Sequence, residues 1–365
     1  MKNNYMKCLF VGDIFLGKND NFILDSKLKK LISESDLVSC NFEGPLDTKG
    51  ANRIEKIGPI LEQKENAVNE LSVSGFNFFN LSNNHIMDYG KSALSKTIGN
   101  LNGKNYAGAG LSFEDAYKIN ISKINKIKIG VLSFCQWGYG VIDKNNGIGF
   151  SWINHPKTNK IIKDSKKLVD FLIVQIHAGE EQINLPQPQW RKRYKEIIDL
   201  GADVIIGHHP HVPQPIEIYK NKIIAYSLGN FYFKNFQNKK NYIVLLNVDR
   251  KINLEVFPVI QKENEIHLTE DEKFVYWIKN YFRENEVNYR KEYSSQARKI
   301  FNEEYKNYFW ENKLIRLIKN LIKRILRMKV VTRELGMRHL RKIESHLYLV
   351  SDFIGRKEIK RLTMF

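Results

Sequence analysis

Short apolar runs recur through the first two-thirds of this chain, and most end in a residue able to bind a metal or carry a proton. The runs are CLFV at 8–11, LVSCNF at 37–42, FNFFNL at 76–81, IKIGVLSF at 127–134, FLIVQI at 171–176, VII at 204–206 and IIAYS at 223–227. Helix-like segments at 28–34, 65–73, 92–101 and 188–200 lie between them. Such alternation predicts an α/β layered domain with buried strands, closed by late strands at 242–248 and 254–259. In an open α/β sheet, ligands bind beyond the carboxyl ends of the strands. The residues found there are therefore the candidates for function.

Six strand ends carry them. They are Gly12-Asp13, Asn41 with Glu43 in CNFEGPL, and Asn83-Asn84-His85 with Asp88 in LSNNHIMDYG. Then come His177 with Glu181 in IHAGEE, His208, His209 and His211 in GHHPHVPQP, and Asn230 in YSLGNF. Taken singly, each has an ordinary structural explanation. An Asp or Asn after a strand commonly makes a turn or caps a helix, and a His after a buried strand is commonly a satisfied core residue. Three His within four residues fit that explanation less well. Together they form a metal-type set: carboxylate oxygens, imidazole nitrogens and an amide carbonyl. His209-Pro210-His211 suits a turn presenting both rings to one site, whereas a helix would need a four-residue spacing.

These motifs identify a resemblance. GDIFLG at 12–17, NFEGPL at 41–46, NNHIMDYG at 83–90, HAGEE at 177–181, GHHPHVPQP at 207–215 and YSLGNF at 226–231 are similar to those of the CapA-type bacterial poly-γ-glutamate capsule biosynthesis proteins. That family lies in the calcineurin-like metallophosphoesterase superfamily, and the resemblance covers about residues 5–260. It implies a four-layer αββα sandwich with a centre of two divalent transition-metal ions, of Mn, Fe or Zn type. It further implies Asp13, Glu43, Asn84, His177, His209 and His211 as metal ligands, and His85, oriented by Asp88, as the catalytic acid. Asn41, Glu181, His208 and Asn230 would support the ligands or meet substrate. The implied reaction is attack on phosphorus by a metal-activated hydroxide or a substrate oxygen. Lys56, Arg53 or Arg191 would neutralise the substrate, and the sequence leaves that choice open.

The chain also departs from the superfamily. Ile14 and Phe15 follow Asp13 where an Asp-x-His motif is expected, and Ala178 follows His177 where Trp is usual. The implied function is a phosphoesterase-like hydrolase or phosphoryl transferase in capsule or surface-polymer biosynthesis. Its substrate would be a phosphorylated glycan, a lipid-linked sugar or an anionic polymer. The alternative is a non-catalytic scaffold or polymer-binding subunit of a membrane-associated synthase.

After about residue 265 aromatics and charges mix at helical spacing, so the reading divides the chain into 1–262 and a basic, mainly helical extension at 263–365. Ten of the net +18 charges lie in residues 311–365. The stretch KLIRLIKNLIKRILRMK at 313–329 has the pattern of a basic amphipathic helix. It would pack on the domain or on a second copy of the chain, or else lie on an anionic membrane surface. No base-reading motif accompanies the charge, so nucleic acid is a poor candidate partner. No run approaches the roughly 18 apolar residues of a spanning helix, and the N-terminus lacks a signal-peptide cleavage pattern. The three cysteines, Cys8, Cys40 and Cys135, are odd in number and widely spaced, which suits buried thiols in a reducing compartment. The expected location is cytoplasmic, with peripheral contact at the inner membrane face.

Overall fold

The structure is a computed structural model and describes residues 5–46, 49–56, 58–124, 126–142, 147–234 and 239–305. Two sheets dominate it. The nine-stranded sheet runs β2 (Ile23–Leu24), β17 (Glu265–Leu268), β16 (Ile252–Lys262), β15 (Lys240–Val248), β1 (Met6–Phe15), β3 (Leu37–Phe42), β4 (Phe78–Asn80) and β5 (Asn105–Ala107), with β14 (Asn230–Phe233) also pairing with β1. The six-stranded sheet runs β12 (Pro213–Tyr219), β13 (Lys222–Leu228), β11 (Val204–His208), β10 (Phe171–His177), β8 (Ile127–Cys135) and β7 (Asn120–Ile124). A small ribbon joins β6 (Ala109–Gly110) to β9 (Gly149–Phe150).

Side-chain alternation along the strands builds the layers. In β1, Leu9 and Val11 point to one side and join Leu28 and Ile32 of α1 (Ser26–Ser33), Ala67, Val68 and Leu71 of α2 (Ala67–Val73), and Leu94 of α3 (Gly90–Asn100). Met6, Cys8 and Phe10 point to the other side, against Ile129, Val131, Ile173, Val204 and Ile206 of the second sheet. The short α4 (Phe113–Ala116) lies beside β6. On the outer face of the second sheet, α5 (Thr158–Lys166) packs on β8 and β10, and α6 (Pro188–Asp199) on β11 and β13. The α/β architecture of the sequence reading is what the structure shows: helices, sheet, sheet, helices. All three cysteines are free and buried.

Two compact units divide the chain, Met1–Glu286 and Val287–Phe365. The first runs past the division drawn at residue 262, for two reasons. Strand β17 pairs with both β16 and β2, and α7 (Glu272–Asn285) packs on β12 and β16. Ile278 of α7 is fully buried in the core between the sheets, a burial that contributes about 2 kcal/mol. Of the second unit, α8 (Tyr289–Ile300) and a π-helical turn (Phe301–Tyr305) are described. The basic segment 313–329 lies outside the described residues.

A candidate metal centre at the strand ends

Parallel pairing sets the site residues at one level. Asp13 of β1 is in register with Asn230 of β14 and Asn41 of β3, and Asn41 with Asn80 of β4. In the second sheet, His177 of β10 is in register with Cys135 and His208. Two polar rows therefore face each other where the apolar core between the sheets ends. The register slips around Gly12 and Asp13, and such irregularities re-aim side chains. Gly12 makes this approach feasible, because a Cβ there would lie 1.8 Å from the Gly229 carbonyl oxygen.

Asp13 is fully buried and heavily engaged. Its Oδ1 accepts from Asn41 Nδ2 at 2.8 Å and its Oδ2 from the His209 amide at 3.2 Å. His208 Nδ1 lies 3.4 Å from Oδ1, and His211 Nδ1 3.5 Å from Oδ2. Burial would raise its pKa, but these histidines and the amide outweigh burial and hold it below the usual carboxylate value.

Glu43 is the opposite case. It follows β3, where its amide donates to the Ile14 carbonyl and Gln63 Nε2 donates to its own carbonyl. Its side chain is 0% exposed, and among the described residues neither carboxylate oxygen has a hydrogen-bond partner. The Nε2 atoms of His85, His177 and His211 each stand 3.8 Å from Oε1. Burial, reinforced by Asp13, pushes the carboxyl well above its ordinary pKa despite the opposing pull of His211. A buried carboxylate without donors costs about 1–3 kcal/mol. Three ring nitrogens beyond hydrogen-bond distance are what a cation-binding carboxylate would have around it. The donor set fits a metal ion.

Hydrogen bonds at the far side of the rings orient them. His211 Nδ1 meets Asn230 Oδ1 at 2.8 Å, which leaves Nε2 facing Glu43. Asp88 Oδ2 lies 2.7 Å from His85 Nδ1. His177 Nδ1 lies 3.1 Å from Asn41 Nδ2, and its Nε2 lies 2.8 Å from Asn84 Oδ1. Asn83 shapes the turn that presents Asn84 and His85, donating to the Phe42 carbonyl and accepting from the His85 amide. His208 Nε2 approaches Gln175 Oε1 at 3.3 Å, behind Asp13. His209 and His211 have φ of 97° and 57°, in the left-handed region that costs a non-glycine residue about 1–3 kcal/mol. Burial lowers His177 far below the ordinary imidazole value and takes His209 to about 4. Burial would lower His211 too, but Glu43, Asp13 and Glu181 raise it to about 9. Two groups of ligand atoms, each within 4.8 Å, emerge among the described residues: Asp13, Glu43 and His211, and Glu181, His209 and His211.

The structure separates the three candidate cations by position. Lys56 is half-buried beside these residues, ion-paired to Asp88 Oδ1, 3.0 Å from His85 Nδ1 and donating to the Asn84 carbonyl. Arg191 is elsewhere, on α6, where it pairs with Glu217 and Glu286. Arg53 is exposed. Gln136 escaped the sequence reading. Its Nε2 lies 3.1 Å from His209 Nε2 and its Oε1 accepts from the Gly179 amide. The signal was present, since Gln136 is the first polar residue beyond β8. Gln63 was missed as well, and it clamps Leu16, Ile14 and Glu43 together.

Fold and site together define an α/β protein with a buried carboxylate–histidine centre at the ends of its parallel strands. The chain belongs to the family described as bacterial capsule synthesis protein PGA_cap, which matches residues 7–235. It is 35% identical over 244 residues to the PGA biosynthesis protein CapA of Bacillus subtilis (strain 168), covering 63% of this chain and 64% of that one. It is also 35% identical over 250 residues to the capsule biosynthesis protein CapA of Bacillus anthracis, covering 64% and 61%. The match thus spans less than two-thirds of either relative's length. Among solved structures, a putative 5'-nucleotidase from Staphylococcus aureus aligns at a TM-score of 0.43 with 16% identity, over 74% of this chain and 55% of that one. Among the described residues, no helix is long and apolar enough to cross a membrane.

Proposed function

We propose that this chain is a metal-dependent phosphoesterase or phosphoryl transferase acting in the assembly of a bacterial surface polymer. Its substrate would be a phosphorylated glycan, a lipid-linked sugar or an anionic polymer. The observation that carries this reading is Glu43: a fully buried carboxylate without hydrogen-bond partners, ringed by three imidazoles at 3.8 Å. Asp13, Glu43, Asn84, His177, His209 and His211 would hold the ions. Bound ions would supply Lewis-acid activation of the attacking oxygen and neutralise charge on the phosphoryl group.

The remaining residues hold protons and charge. With Asp88 accepting a hydrogen bond from Nδ1–H of His85, a proton that His85 transfers would move at Nε2, the atom facing Glu43. Lys56 locks Asp88 and His85 in place and adds a positive charge for an anionic substrate. Contact with an anionic membrane surface through residues 313–329 belongs to the same proposal, since it would bring the centre to lipid-linked substrates. Truncation after residue 310 tests that part and should abolish salt-sensitive binding to anionic vesicles.

Turnover of phosphomonoesters, phosphodiesters and nucleotide-activated sugars by the Mn²⁺-supplemented protein tests the activity, with His85→Ala alongside. A fall of about 10²–10⁴ in kcat with metal content unchanged supports the role given to His85. No turnover by the wild type on any of these would favour a polymer-binding subunit instead.

A further inference from the structure

The loop that follows β10 is latched onto the His-Pro-His turn. The Ala178 amide donates to the His208 carbonyl at 3.0 Å, and the Gln182 amide donates to the Pro210 carbonyl at 2.8 Å. Gly179 sits against the Pro210 ring. Between these two bonds lies Glu181, whose carboxylate comes within 4.8 Å of ring nitrogens of His209 and His211. Both histidines are buried, at 5% and 6% exposure, whereas Glu181 is exposed. His209 Nδ1 is buried and has no hydrogen-bond partner among the described residues, while its other nitrogen meets Gln136. Left-handed backbone at Gln182, His209 and His211 holds this arrangement (φ 63°, 97° and 57°).

A second group, of Asp13, Glu43 and His211, lies deeper and is buried throughout. The two groups share His211. A neutral imidazole ligates one ion through one nitrogen, and Asn230 already occupies Nδ1 of His211. An outer ion would therefore depend on what the outer group has of its own, which is Glu181 and His209.

We propose that Glu181 is a direct ligand of a divalent cation, held with His209 on the solvent side of the centre, and that this ion exchanges more readily than one held by Asp13 and Glu43. A carboxylate with an imidazole is a suitable pair for Mn²⁺, Fe²⁺ or Zn²⁺. The chain then supplies its own anionic ligand where Ile14 and Phe15 follow Asp13. The inference rests on the proposed reading that the centre takes divalent cations, and the experiment separates the two.

Mn²⁺ binding to the full-length chain can be followed by the electron paramagnetic resonance signal of free Mn²⁺, with elemental analysis after dialysis. Wild type, Glu181→Gln and the exposed surface control Glu65→Gln would be compared. Glu181 is exposed, so its substitution leaves the core intact. The expected result is a loss of affinity of at least about tenfold for the weaker class of Mn²⁺ in Glu181→Gln. The tighter class and the unfolding temperature in chelator should match wild type, as should every value for Glu65→Gln. Wild-type stoichiometry and affinity in Glu181→Gln would overturn the inference and leave the wider reading standing. So would lost turnover with unchanged binding, which would put Glu181 on the substrate instead. Absence of Mn²⁺, Fe²⁺ and Zn²⁺ binding by the wild type would overturn both.

Discussion

Replacing Glu43 by Gln should change stability in opposite directions with and without metal. In the metal-free protein the carboxylate is fully buried, lacks donors and lies close to Asp13, which raises its pKa further. Leaving such a group unsatisfied costs about 1–3 kcal/mol. Gln is nearly isosteric and uncharged, and its amide can donate toward the His85 Nε2 that faces it. Glu43→Gln should therefore be more stable in EDTA by about 2 kcal/mol, a rise in Tm of about 3 °C for a chain of this size. With Mn²⁺ at about 1,000 times its Kd, the wild type gains about 4.1 kcal/mol by mass action, a gain the variant forgoes. The order then inverts, with the variant about 2 kcal/mol the less stable. Differential scanning fluorimetry in EDTA and in MnCl₂ reads both signs. A variant less stable than wild type in EDTA would refute the reasoning, because Glu43 would then be a structural residue and not a metal-binding one.

Other substitutions probe the framework and the chemistry. Gly12→Ala should destabilise by about 3 kcal/mol in equilibrium denaturation, since its Cβ would meet the Gly229 carbonyl, which is backbone and cannot swing aside. Lys56→Met should lower kcat about 10²-fold while leaving metal content unchanged in elemental analysis. At Glu217, burial raises the pKa, but hydrogen bonds from Arg191, Lys195 and Tyr226 outweigh it and depress the folded value. Its stabilisation is therefore fully present above the unfolded pKa of about 4.3 and is lost as pH falls through the lower folded value. Glu217→Gln should cost about 3 kcal/mol at pH 7, and urea titrations should show this gap closing as the pH drops below about 4.

The clustering of ligand-type residues was legible where their placement is local. Asp13 and His177 lie near the ends of their strands, Asn84 and the His209-Pro210-His211 turn lie just beyond theirs, and parallel strands bring such positions to one edge. The residues that escaped come from loops whose paths depend on contacts distant in sequence. Gln63 reaches back to Ile14 and Glu43, and Gln136 reaches His209. Lys56, Arg53 and Arg191 were equivalent as sequence, all cations of unspecified position. Only packing separated them: Arg191 went to Glu217 and Glu286 on the outer face of the second sheet, and Lys56 to Asp88 beside His85. The far edge of the first unit was missed for a related reason. β17 spans only Glu265–Leu268, too short for a clear period, and becomes a strand because β16 and β2 are there to pair with it.

The sequence by itself determined the alternation of strand and helix and the ligand-type residues waiting at the strand ends, because period and turn chemistry are short-range properties of the chain. The tertiary structure decided the rest. Register aligned Asn230, Asp13, Asn41 and Asn80 in one row and set His177 and His208 opposite. The meeting of the two sheets left Glu43 buried without donors, and the latch between the 178–182 loop and the His-Pro-His turn brought Glu181 to the histidines. Those are long-range juxtapositions, and their cost in desolvation and backbone strain is met only by the packing of the whole domain.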